Sequence, residues 1–253
     1  DTILASLLPT GSPSWLYVSD RLMQLPLGIF AIAIATVILP KLSNLFASES
    51  REQFSSTLDW SIRLILLIGL PAVIGLVMLA EPIILTLFER GEFGAQDSRM
   101  ASSSLIALAF GLLAFMLIKI LTPSFFARQQ PKKPMIVALI SMVLNAFLAW
   151  LLAFQLGYAH VGLALASSTS AFFTVITLLF ILHKDKVYKA SKGWIYFLLR
   201  MLIASIVLIL LIGYFGQDVD YLRQISEFSR FLYIFKIVLI GMVGYFLSLW
   251  ILG

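Results

Sequence analysis

The run Ser14-Trp15-Leu16-Tyr17-Val18-Ser19-Asp20-Arg21-Leu22-Met23-Gln24-Leu25-Pro26 places an adjacent acid–base pair, an amide and a proline at the opening of the longest apolar stretch in the chain. One charge at mid-bilayer costs ~2.5–3.5 kcal/mol on insertion scales, so such groups persist where they are paired or where water reaches them. On a helix, Tyr17, Arg21 and Gln24 fall at i, i+4 and i+7 and share a face, while Asp20 reaches Gln24 at i+4. That face suits a water-filled cavity. A planar guanidinium grips phosphate well, so the predicted chemistry is recognition of a phosphate-bearing ligand. Pro26 withholds a backbone donor and can kink the helix beside these groups, as in the broken helices of transporters. A second reading stays open: Asp20 and Arg21 lie only about 10 Å of helix beyond Ser14 and can snorkel to the outer interface.

Other polar residues interrupt apolar runs. Lys119 lies near the end of its run, where it either snorkels or faces a cavity; Arg200 and Lys236 are read as snorkelling. Asn145 is mid-run and either hydrogen-bonds a neighbouring helix or ligates a cation. Asp1 opens an apolar piece, Asp1 to Leu8, that reads as the second half of a helix begun upstream, which would place this acid in mid-membrane as a cation or proton site. Enzymatic signals are weak. His160 and His183 fall in opposite loops, and no Ser/His/acid set or metal-ligand spacing is present. Asp218-Val219-Asp220 resembles the acidic pair with which glycosyltransferases hold a metal–nucleotide, but it falls in a loop read as external, where sugar nucleotides are absent.

The elements that must position these groups are membrane helices. Hydrophobic residues make up 60% of 253 positions and charged residues 12%, with a mean hydropathy of +1.00; a soluble domain carries ~45–50% and ~25%. Cysteine is absent, which excludes disulfides, thiolate metal sites and a cysteine nucleophile. The net charge of +5 comes from Lys and Arg in short clusters between apolar runs, the mark of cytoplasmic loops and not of a nucleic-acid surface. Runs long enough to cross ~30 Å of hydrocarbon fall at residues 15–39, 58–79, 102–121, 135–154, 161–182, 194–215 and 231–252. Lipid leaves no partner for open backbone groups, so the chain is predicted to be an all-α polytopic membrane protein. Residues 81–88 read as a short helix on the outer surface. One alternate set of loops carries Lys41, Arg51, Arg128, Lys132, Lys133, Lys184, Lys186, Lys189 and Lys192; the other carries Arg90, Arg99, Arg223 and Arg230. The first set is therefore predicted to be cytoplasmic, together with the C-terminus.

The run from Gly11 to Gly28 closely resembles the eighth-helix signature of the MurJ (MviN) family, the lipid II flippases of bacteria. Ile38-Leu39-Pro40-Lys41-Leu42-Ser43 and Lys119-Ile120-Leu121-Thr122-Pro123-Ser124-Phe125-Phe126-Ala127-Arg128-Gln129 are similar to its later motifs, in the same order. The resemblance implies the C-terminal lobe of a two-lobe, fourteen-helix MATE-like transporter in a bacterial inner membrane. Residues 1–192 would hold the end of helix seven and helices eight to twelve, and residues 193–253 two further helices that form a lipid-tail groove. It implies lipid II as substrate, membrane lipids and the N-terminal lobe of the same protein as partners, and no enzymatic cofactor. Ser14, Tyr17, Asp20, Arg21, Gln24 and Lys119 would contact substrate, with Arg21 on the pyrophosphate. A coupling cation, sodium or proton, would be held by Asp1, Asn145 and a serine at Ser167 or Ser168. The sequence departs from the family in two places: Gln24 stands where members often carry Glu, and Ala149 where a second acid is expected. Related oligosaccharide-lipid flippases, drug/cation antiporters, a membrane glycosyl- or phosphotransferase and a scaffold subunit are the alternatives.

Overall fold

The computed structural model describes residues 2–216 and 219–253, so Asp1 and Asp218, singled out above, lie outside the described residues. Within these limits the chain is helical: α1 (Thr2–Ala5), α2 (Ser12–Pro26), α3 (Ala33–Ala47), α4 (Arg51–Met78), α5 (Ala80–Phe88), α6 (Ala95–Ala127), α7 (Lys132–Ala149), α8 (Ala159–Lys184), α9 (Trp194–Phe215), α10 (Val219–Gln224) and α11 (Glu227–Ile251). Seven helical stretches among the described residues are long and apolar enough to cross a membrane, one at each predicted run. Most extend past the apolar run by a polar turn or more. The first is continuous from Ser12 to Ala47, because Pro26 leads into a wide π turn, Leu27–Ile32, that joins α2 to α3. A π turn re-registers the ladder around a missing donor, so the predicted kink is realised as a local widening. The helix predicted at 81–88 is α5. The short helix α10, within a stretch expected to be loop, was not foreseen.

α6 is the central post. It packs against α2, α3, α4, α5 and α8, while α7 packs on α8. Its small residues permit this: Ala101, Ser104, Ala107, Ala109, Gly111 and Ala114 are all buried, as is typical where membrane helices approach closely. At the α6–α8 crossing, a Cβ on Gly111 would stand 2.7 Å from the Ser168 Cα. The pair α9 and α11 packs on itself, with Gly241 and Gly244 against Leu208 and Leu211, and leans on α4 through Tyr245, whose hydroxyl donates to the Leu67 carbonyl at 3.1 Å. Large apolar side chains such as Leu202, Leu210, Phe235 and Leu239 remain exposed on this pair, as expected of helices whose solvent is lipid.

Candidate functional site

The Asp20–Arg21 segment has one fixed face and one open face. α2 begins after Gly11, whose left-handed φ of 101° places it so near the Trp15 ring that a Cβ would lie 2.6 Å away. The Trp15 indole N–H donates to Asp97 Oδ1 at 2.8 Å, and the other oxygen of Asp97 accepts the Gly94 N–H at 2.9 Å. His160 from α8 meets the Trp15 ring edge-on at 4.8 Å, its Nε2 lying 3.2 Å from the Met100 carbonyl. One turn on, the buried Ser19 hydroxyl lies 2.7 Å from the carbonyls of both Trp15 and Ala101. Trp15, Ser19 and Leu22, at i, i+4 and i+7, are thus sealed against α6 and α8. The opposite side of the same turns carries Ser14, Tyr17, Asp20, Arg21 and Gln24.

That open side borders a cleft of about 720 Å³. Ser14, Tyr17 and Asp20 from α2, Leu108 and Phe115 from α6, and Ser167 from α8 line it. Asp20 accepts a hydrogen bond from the Gln24 amide, the pairing expected from their spacing. The Arg21 guanidinium lies over the Tyr17 ring, 4.9 Å from its centroid, and makes no ion pair among the described residues. Arg21 itself is exposed beside Tyr17 and is not part of the cleft wall, and its donors are uncommitted among the described residues. Lys119 is exposed on α6 and is not part of the cleft wall, although it continues the Leu108–Phe115 stripe one turn further along the helix.

The serines expected near a cation separate. Asn145 donates to Ser167 Oγ at 3.2 Å across the α7–α8 contact, and Ser167 also lines the cleft. Ser168 does not join them: it is fully buried at the α6–α8 crossing, where its hydroxyl donates to the Ala107 carbonyl at 2.7 Å. Adjacent helical residues point about 100° apart, so only one of the two can face α7. Among the described residues, no three His, Asp or Glu side chains gather as a metal site.

Three polar clusters were not anticipated. Asp59, 3% exposed in α4, accepts hydrogen bonds from Arg63 Nε at 3.0 Å, Tyr188 OH at 2.8 Å, Trp194 Nε1 at 2.8 Å and the Ser191 hydroxyl. Burial, and then the bond to this carboxylate, push the Tyr188 hydroxyl above its ordinary pKa. At the same end of the lobe, Asp185 accepts from Lys133 and from Arg128. The Lys133 bond, opposed by partial burial and joined by Arg128, holds the Asp185 carboxyl below its ordinary 3.8. At the other end, Arg223 fastens α10 to α5 through Glu81 and Glu89, each at 3.2 Å, and pairs with Asp220 at 3.1 Å. Asp220, one of the two acids that resemble a metal–nucleotide pair, is thus engaged by an arginine. Of the three, only Asp59 left a sequence signal, an acid and an arginine at i and i+4 inside an apolar run.

The arrangement of helices around α6, with a cleft beside the span that carries Pro26, is a fold shared with solved transporters. The fold is shared at a TM-score of 0.61 with a solved MOP-superfamily transporter from Pyrococcus furiosus (16% identity, 98% of this chain and 58% of that one). It is shared at 0.62 with an outward-facing multidrug resistance MATE family transporter (17% identity, 98% and 58%). The chain belongs to the lipid II flippase MurJ family, whose sequence model matches residues 1–236. It is 46% identical over 212 residues to a probable lipid II flippase MurJ of Vibrio cholerae, covering 82% of this chain and 39% of that protein. It is 41% identical over 259 residues to one of Haemophilus influenzae, covering 100% and 50%. A solved lipid II flippase MurJ in an inward closed conformation superposes with a TM-score of 0.80 at 28% identity, over 97% of this chain and 48% of that one. The chain spans about half the length of these relatives or less. The family is named for a transporter, not an enzyme.

Proposed function

We propose that this chain is one lobe of a flippase that moves lipid II from the inner to the outer leaflet of a bacterial inner membrane by alternating access. The other lobe is contributed by sequence outside this chain. The observation that carries the reading is the division of α2: Trp15, Ser19 and Leu22 are fixed on the core, which turns Ser14, Tyr17 and Asp20 onto a cleft, with the exposed Arg21 beside it over Tyr17. A diphosphate head cannot cross hydrocarbon unaided, and a hydrated path with a guanidinium beside it offsets its desolvation. In this scheme Arg21, held over Tyr17, takes the pyrophosphate, and Asp20 and Gln24 set its position. Ser14 borders the same space, and Lys119 extends the path further along α6. The polyprenyl chain stays in lipid, guided by the exposed apolar faces of α9 and α11, the unit formed by residues 193–253. Asn145 and Ser167 offer two oxygens to a coupling cation, sodium or proton, next to the cleft. The Lys/Arg-rich ends support a cytoplasmic side for the α3–α4, α6–α7 and α8–α9 connections and the C-terminus.

The test is replacement of Arg21 by Ala and by Glu in the full-length protein when it is the sole flippase of a cell. Growth and the arrival of lipid II at the outer surface should both be lost, with the variant still present in the membrane. Normal growth with normal external lipid II would refute the proposal.

A further inference from the structure

A second polar cavity of about 800 Å³ lies at the opposite end of the lobe from the start of α2, where α3, α6 and α8 end and α4 begins. Its basic wall residues are Arg51, Arg128 and Lys186. Arg128 is the unusual one. It is only 8% exposed, its Nη2 is committed to Gln130 Oε1 at 3.1 Å and Asp185 at 3.0 Å, and its Nη1 is buried with no acceptor among the described residues. A buried guanidinium nitrogen without an acceptor leaves a costly unmet donor, which a ligand oxygen would satisfy once a small shift of the wall opens a path to it. Two acids also face the cavity, Glu49 and Asp185. Asp185 already answers two cations, Arg128 and Lys133, so Arg51 and Lys186 outnumber the remaining carboxylate. Neither of these two makes an ion pair among the described residues. α4 starts on this wall, and its N-cap Ser50 makes no side-chain cap bond, which leaves the positive end of a 28-residue helix facing one first-turn acid, Glu52.

The rest of the wall is apolar, with Leu45, Phe46, Phe54 and Val187, and Phe46 is 45% exposed. Charge on one side and apolar surface on the other match a phosphate carried on a lipid. Basic pockets between membrane helices on the cytoplasmic side are suited to such headgroups. We infer that this cavity is an anion site for a phosphate group, filled by the phosphodiester of an anionic phospholipid. It is separate from the Asp20–Arg21 cleft and does not depend on the transport reading.

The experiment uses the full-length protein purified in a neutral detergent and titrated with phosphatidylglycerol, phosphatidylcholine or pyrophosphate while its melting midpoint is followed. Phosphatidylglycerol should raise the midpoint saturably and phosphatidylcholine should not. Removal of Arg128 strips Asp185 of a partner and endangers the fold, so the exposed pair Arg51→Gln and Lys186→Gln carries the test. Loss of two charge-assisted contacts should raise the lipid concentration needed by about tenfold or more. A response to pyrophosphate alone that is equally sensitive to the double variant would keep the phosphate site and assign it a soluble ligand. A response that is absent, or identical in wild type and double variant, overturns the inference.

Discussion

The Trp194 indole N–H donates to the Asp59 carboxylate at 2.8 Å, so the first residue of α9 is bound to a buried acid in α4. Arg63 completes the joint. It pairs with Asp59 at 3.0 Å, donates to Ser191 Oγ at 2.7 Å, and its guanidinium lies 4.9 Å from the Trp194 ring centroid. Apart from this joint, α9 meets α4 mainly through apolar contacts, which have little directionality. Asp59→Ala should therefore lower the stability of the lobe by ~3 kcal/mol, because several buried donors lose their acceptor at once. The melting midpoint in detergent checks this, and a change within error would remove Asp59 from its place as an anchor. Asp59→Asn should lose less, since its amide oxygen still accepts.

The α6–α8 crossing should resist any side chain at Gly111. A Cβ there meets Ser168 Oγ at 2.5 Å and the Ser168 Cα at 2.7 Å. The first contact can be relieved by trimming Ser168, but the second is backbone and cannot. Gly111→Val should destabilise by ~1–3 kcal/mol, as overpacked cores do, and adding Ser168→Ala should restore little of it. Equal melting midpoints for Gly111→Val and wild type would show that the helices can part freely.

What the sequence made legible was local or compositional. Length and apolarity located all seven spans, and spacing alone paired Asp20 with Gln24, because i and i+4 neighbours meet on any helix. The choice between Ser167 and Ser168 required the rotation of α8 about its axis, which the α7 and α6 contacts set together. The partners of Trp15 and Asp59 stand 82 and 135 residues away, at Asp97 and Trp194, and no single-helix pattern reports such pairs. From sequence Pro26 predicts a kink and not a π turn, since a missing donor fixes that the ladder must change and not how it is repaired.

Acid should loosen the connection that follows α8. Asp185 is held below its ordinary 3.8 by Lys133 and Arg128. A carboxylate with a depressed folded pKa contributes stability that is complete above the ordinary value and is lost as pH falls through the folded one. Asp185→Asn should thus lower the melting midpoint at neutral pH and flatten its fall towards acid. Parallel wild-type and variant curves across that range would contradict the assignment.

Three helix ends carry a non-glycine residue in the conformation that glycine prefers. Gln129 after α6, Glu49 after α3 and Lys186 after α8 all have φ of 55°. Each is followed by a long return bond, from Gln130 N to the Phe125 carbonyl, from Ser50 N to the Leu45 carbonyl and from Val187 N to the Leu182 carbonyl, all at 3.0 Å, the closure that usually recruits Gly. A residue with a Cβ loses ~1–2 kcal/mol in this region, while Gly gives back part of that by loosening the unfolded chain. Gln129 is exposed, so its side chain is not needed for packing. Gln129→Gly should stabilise by about 0.5–1 kcal/mol, whereas Gln129→Val, branched at Cβ, should destabilise. The two variants should move the melting midpoint in opposite directions, and a shift of the same sign for both would mean that backbone conformation does not limit stability at this turn.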